Sequence, residues 1–135
     1  MSDQDPFGEV VFSYSRAQAI EDGVLVDVTE AAKEVGFKFH TVVTERVWSL
    51  IETNEAVLSK HGQDVRGRLH DVLFMGVTAI RTQKANGDRV YYSVLLPQDV
   101  NGSPLDKRHE QKLYVHIGPG DTPAPVLTIM VVGED

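Results

Sequence analysis

The chain has 135 residues, a formal net charge of −7, 41% hydrophobic residues and no cysteine. That length suits one domain, 1–135, with a true hydrophobic core. The missing thiols exclude disulfides, thiolate metal sites and thiol catalysis, and the acidic balance argues against a protein that coats nucleic acid.

In chain order, residues 1–8 read as a flexible leader broken by Pro6 and Gly8. The start is acidic and has no signal-peptide apolar run, which fits a cytoplasmic protein. Residues 10-VVFSY-14 read as a short strand. Ser15, with Gln18 three residues on, is a capping-box start for a short helix that Gly23 ends. The β-branched run 24-VLVDV-28 predicts a strand. Thr29 is placed to cap a second short helix, closed by Gly36. Phe37 and Phe39 alternate with Lys38 and His40 and predict an extended link. Thr44 caps a third helix, whose apolar positions Val47, Trp48 and Ile51 run on toward Val57 and Leu58.

The clearest period belongs to the fourth helix. Val65, Leu69, Val72, Leu73, Gly76, Val77 and Ile80 form one apolar stripe. Gly76 within it invites close approach of another element. Gly67 weakens the first turn, so the spacing sets the proper start after it. Beyond Asn86-Gly87, the runs 89-RVYYSVLL-96, 112-KLYVHI-117 and 126-VLTIMVV-132 predict an antiparallel meander of three strands. None is long enough to span a bilayer. The polar stretch 98–111 predicts a mobile loop. The fold class is therefore α+β: short N-terminal strands and helices, one longer central helix, and a C-terminal three-stranded antiparallel sheet.

No catalytic signature is present: no G-x-S-x-G elbow, no H-E-x-x-H, no Walker A loop and no G-x-G-x-x-G. The stretch 118-GPGD-121 lacks a following helix and lysine and reads as a turn. No two of the five histidines stand i, i+4 on a helix, so neither a metal site nor a cofactor is expected. Asp22 and Asp27 flank the first strand. They could do acid/base work, but short acids at such junctions serve turns and caps.

The charge is uneven. Residues 1–55 carry eleven acids against four bases, whereas residues 60–89 carry six bases against three acids. On the fourth helix, Arg68 stands between Asp64 and Asp71 at pairing distance. On another flank Arg66, His70, Phe74 and Arg81 share one quarter of the helical wheel, and Lys84 joins them if the helix continues. Cations around an aromatic can face nucleic acid or an acidic protein, although such flanks are more often plain solvent faces.

The runs 15-SRAQAIEDGVLVDVTEAAKEVGFKF-39, 44-TERVW-48, 66-RGRLHDVLFMG-76, 118-GPGD-121 and 127-LTIMVVGED-135 resemble a bacterial family of unknown function. Its members are often labelled plasmid-related proteins. This chain carries His70 where the family has an aromatic after the leucine of R-L-x-D. The resemblance implies a bacterial cytoplasm and an accessory role on mobile DNA, and no activity.

The reading that results is a non-enzymatic accessory protein of a mobile element that binds a protein partner or a second copy of itself. Scattered acids interrupted by bases argue against DNA mimicry. The alternatives are a small enzyme with an unrecognised pocket and a weak nucleic-acid binder using the Arg66/His70/Arg81 flank. Nucleic acid and membrane are not expected partners. An exposed apolar patch would favour a protein partner, a pocket of clustered acids and histidines an enzyme, and a continuous positive surface nucleic acid.

Overall fold

The computed structural model describes residues 15–83, 87–101 and 109–134. The leader, the strand expected at 10–14, Lys84 and the centre of the 98–111 loop lie outside the described residues. In chain order the elements are α1 (Arg16–Glu21), β1 (Leu25–Asp27), α2 (Thr29–Val35), β2 (His40–Thr44), α3 (Glu45–Ile51), α4 (Glu55–Lys60), α5 (Val65–Thr82), β3 (Arg89–Leu95), β4 (Glu110–Pro119) and β5 (Pro125–Val131).

The α+β class holds, and the sheet is larger than the sequence suggests. Its order is β1-β2-β5-β4-β3. The antiparallel meander β3-β4-β5 is present. It is part of a mixed five-stranded sheet, because β5 pairs in parallel with β2, and β2 in antiparallel with β1. The expected link after Phe37 in fact ends in a strand. The run 41-TVV-43 is short, but it satisfies the second edge of β5, which a three-stranded sheet would leave bare.

Local chemistry sets the helix ends. Ser15 Oγ accepts from Gln18 N–H at 2.9 Å, as the capping box requires. Val28 rather than Thr29 is the cap residue of α2, and no side chain caps it directly. Instead Asp27 Oδ1 accepts the Thr29 N–H, while the Thr29 hydroxyl donates to the same carboxylate. The third predicted helix is two helices. Asn54 accepts from Val57 N–H at 3.0 Å and restarts the chain as α4. Asp64 caps α5 by accepting from Gly67 N–H at 2.7 Å, so the helix begins at Val65, ahead of Gly67.

One face of the sheet carries the core. Val43, Ile129, Val115 and Val90 stand side by side across it and pack with Ile51 of α3 and Leu73 of α5. Leu73 is fully buried, while Trp48, Leu69 and Ile80 are half-buried at the margin of the same cluster. Gly76 performs the expected close approach: a Cβ there would press on the Tyr92 ring at 3.2–3.3 Å. The Tyr92 hydroxyl donates to Val72 C=O at 2.9 Å, and burial pushes its pKa up. The opposite face bears Val42, Thr128, Tyr114 and Tyr91, and α1 lies on it at the β2 end. No helix among the described residues is long and apolar enough to cross a membrane.

Candidate functional site

The residues of the expected helix flank border different hollows. Arg66 and His70 border a hollow between α2 and the first turns of α5. His70 stacks on Phe74, with ring centroids 5.7 Å apart and planes 9° apart. Phe74 borders a different hollow, beside β3. Arg81 borders a third, near the end of α2. Lys84 lies outside the described residues.

Arg68 corrects a second expectation. It does not pair with Asp64 and Asp71 at the surface. It is 1% exposed and reaches away from its own helix. Nε donates to Ile51 C=O at 3.1 Å, Nη2 to Leu50 C=O at 2.7 Å and Nη1 to Gln63 Oε1 at 2.6 Å. The two carbonyls close α3, where the last turn has no internal partners and the helix dipole is negative. Arg68 thus ties the C-terminus of α3 to α5. Burial lowers its pKa, and Asp71 acts against that shift.

Another polar group joins the two ends of the chain. The Arg16 guanidinium donates to Thr128 Oγ1 at 2.8 Å, to Leu127 C=O at 2.7 Å and to His40 Nδ1 at 3.3 Å. Because Nδ1 accepts, Nε2 carries the proton that reaches Asp27 Oδ2 at 3.3 Å. Asp121 accepts the Arg16 and Ala17 N–H groups at 2.8 and 3.1 Å. Three of the runs behind the family resemblance, 15–39, 118–121 and 127–135, therefore meet here, and 118-GPGD-121 ends as a helix anchor. Partial burial lowers the Arg16 pKa against the pull of Asp121 and Asp27. Partial burial also acts to raise the Asp27 pKa, but the Thr29 and His40 hydrogen bonds outweigh it and hold the carboxylate below its ordinary value. Every charged group of this cluster is engaged within the fold, so the cluster clamps α1 to the sheet. Among the described residues no group of three or more metal-ligating side chains is close enough to hold an ion.

The third feature is an open edge. β3 ends the sheet. Leu96 N–H donates to His109 C=O, and Ile117 N–H donates to Asp88 C=O. In this register the even-numbered residues of β3 bond to β4, and Tyr91, Ser93 and Leu95 turn their backbone groups outward. Gln83 Nε2 takes the Tyr91 carbonyl at 3.0 Å. The outward groups of Ser93 and Leu95 have no partner among the described residues. Apolar side chains flank this edge on both sides: Phe74 and Met75 of α5, 49% and 40% exposed, and Tyr91 and Leu95 of β3, 50% and 37% exposed. A concavity of about 290 Å³ runs between them, with Asp71 and Glu110 at its rim.

A family model matches residues 5–135. The chain belongs to DUF6573, a family of unknown function. The match spans all the runs in which the resemblance was read, and it assigns this DUF6573 chain no chemistry. No curated protein matches the chain, and no solved structure does.

Of the residues at the β3 edge, only Phe74 was singled out from sequence. The alternation in 89-RVYYSVLL-96 carries the missing signal, since it sets Tyr91, Ser93 and Leu95 on one face. That this strand is an edge, however, depends on the strand order.

Proposed function

We propose that this DUF6573 chain is a protein-interaction domain whose β3 edge takes an extended segment of a partner as an added strand. The observation that carries the reading is the pair Ser93 and Leu95, whose outward backbone groups are unpartnered among the described residues and bordered on both sides by exposed apolar side chains. Backbone groups supply affinity in strand addition, and flanking pockets supply selectivity. Here the concavity accepts one apolar side chain beside Phe74 and Met75. Asp71 and Glu110 favour a neighbouring lysine or arginine. The partner segment is therefore extended, apolar and basic. The resemblance to plasmid-related proteins supports a bacterial, cytoplasmic setting and an accessory role on a mobile element. Nucleic acid suits the molecule less well, since Arg66 and Arg81 border separate hollows and the net charge is −7.

The test is selection of a displayed random-peptide library on the wild-type protein, followed by binding to Ser93→Pro. Proline removes the outward N–H of Ser93 and leaves the β3–β4 ladder intact. The selected peptides should combine apolar and basic residues and lose about tenfold or more in affinity on Ser93→Pro. Peptides that bind a folded Ser93→Pro protein as well as wild type would refute strand addition at this edge.

A further inference from the structure

We propose a second binding site, for a small amphipathic anion, in the hollow between the end of α2, the approach to β2 and the C-terminal half of α5. Its volume is about 360 Å³, within the range of small-molecule sites. Phe37, Phe39, Val77, Ile80, Ile117 and Leu127 line it. Two cations, Arg81 and Lys38, complete the lining, and no carboxylate does.

The arrangement of Arg81 is the unusual part. Gly36 closes α2 with φ +114°, a left-handed conformation that favours glycine. Its missing side chain has a second effect. The Arg81 guanidinium lies across Gly36, where any Cβ would collide with Nη2. The cation is thus seated against backbone at the mouth of an apolar hollow. Arg16 and Arg68 each donate three hydrogen bonds inside the fold. The side chains of Arg81 and Lys38 make no hydrogen bond or ion pair with any described residue. A guanidinium offers five N–H donors in a planar fork that fits a carboxylate with two parallel bonds. An apolar floor beneath it excludes water and strengthens that pairing.

Shape and charge together select the ligand class: one carboxylate on a compact aromatic or short aliphatic body. The body fits against Phe37 and Phe39, and the carboxylate reaches Arg81 with Lys38 adding a second charge. An extended peptide is not the occupant here, because the hollow opens between helices and offers no sheet edge. Phe39 is 45% exposed at this hollow, so its ring is accessible to a ligand.

Sodium 4-phenylbutyrate is the probe, with 4-phenylbutan-1-ol as its uncharged counterpart. Both are titrated into ¹⁵N-labelled wild-type protein and into Arg81→Gln, with amide shifts as the readout. The shifts should centre on Gly36, Phe37, Phe39 and Ile80. The acid should bind wild type about fivefold or more tighter than the alcohol, the margin of one charge-assisted bond. Arg81→Gln should abolish that preference and leave the alcohol's affinity unchanged. Phe39→Ala should weaken both ligands alike. Equal binding of acid and alcohol by wild type, a preference that survives Arg81→Gln, or no binding up to about 10 mM would overturn the assignment. Ser93→Pro should leave this titration unchanged, so its outcome is separate from that of the strand-addition proposal.

Discussion

The two edges of the sheet are finished in opposite ways. β1 is three residues long, and α1 and α2 adjoin it directly. At that end Arg16, His40, Asp27 and Asp121 are all engaged in holding α1 down. β3 is seven residues long and, among the described residues, ends the sheet with two outward-facing residues unpartnered and apolar side chains on either side. Proteins usually protect an edge by shortness, charge, proline or cover. The β1 edge uses shortness and cover. The β3 edge uses neither, although Arg89 begins the strand and Asp71 and Glu110 line the hollow beside it. Polar groups at the first end are engaged within the fold. Apolar groups at the second end stay 37–50% exposed, and these are the ones the proposed strand addition uses.

Substitutions can break or sharpen this contrast. The largest effect should come from beneath both edges. Leu73→Ala empties a fully buried position in the shared core and should cost about 2–5 kcal/mol in chemical denaturation. A near-zero cost would mean that the core does not join the two ends. Next, Arg16→Ala removes three hydrogen bonds from a charged donor and should cost about 1–3 kcal/mol. If its unfolding midpoint matches that of wild type, the clamp at the β1 end has no energetic substance.

The same clamp predicts a pH dependence. Asp27 and Asp121 both titrate below the ordinary carboxylate value of 3.8 in the folded protein. The backbone hydrogen bonds from Arg16 and Ala17 cause the shift at Asp121. Their contribution is full above 3.8, where the unfolded carboxyls are also ionised, and it is lost as pH falls through the lower folded values. The Asp27→Asn/Asp121→Asn variant should therefore differ from wild type at neutral pH and converge on it in acid. Parallel midpoint profiles across that window would contradict the assignment. The smallest effect belongs to the open edge: Phe74→Ser and Leu95→Ser should each shift stability by no more than about 0.5 kcal/mol. A loss of several kcal/mol would show that these side chains serve the fold, not a partner.

Much of this was legible in the sequence. The apolar period of 65–80 set α5 in its correct phase, down to the close approach at Gly76. The three late strands were visible from alternation and turns. What stayed hidden depended on long-range partners. Arg68 sits three and four residues from acids, which is the pattern of a surface pair, yet its bonds go to carbonyls 17 and 18 residues away. β2 is short and follows an alternating aromatic link, so only its pairing with β1 and β5 shows it to be a strand. On the helix-five flank, His70 stacks on Phe74, while Arg66 and Arg81 border different hollows because α2 and β3 pack against the same helix at different heights.

The central claim is that the β3 edge is open, and amide hydrogen exchange in the isolated protein tests it most directly. Tyr91, Ser93 and Leu95 point their N–H groups away from β4, whereas Val90, Tyr92 and Val94 point theirs into the ladder. The account predicts a strict alternation along the strand, with the odd-numbered amides exchanging roughly a hundredfold faster than the even-numbered ones. Equal protection of both sets in dilute solution would show that the edge is already covered, and would contradict the claim.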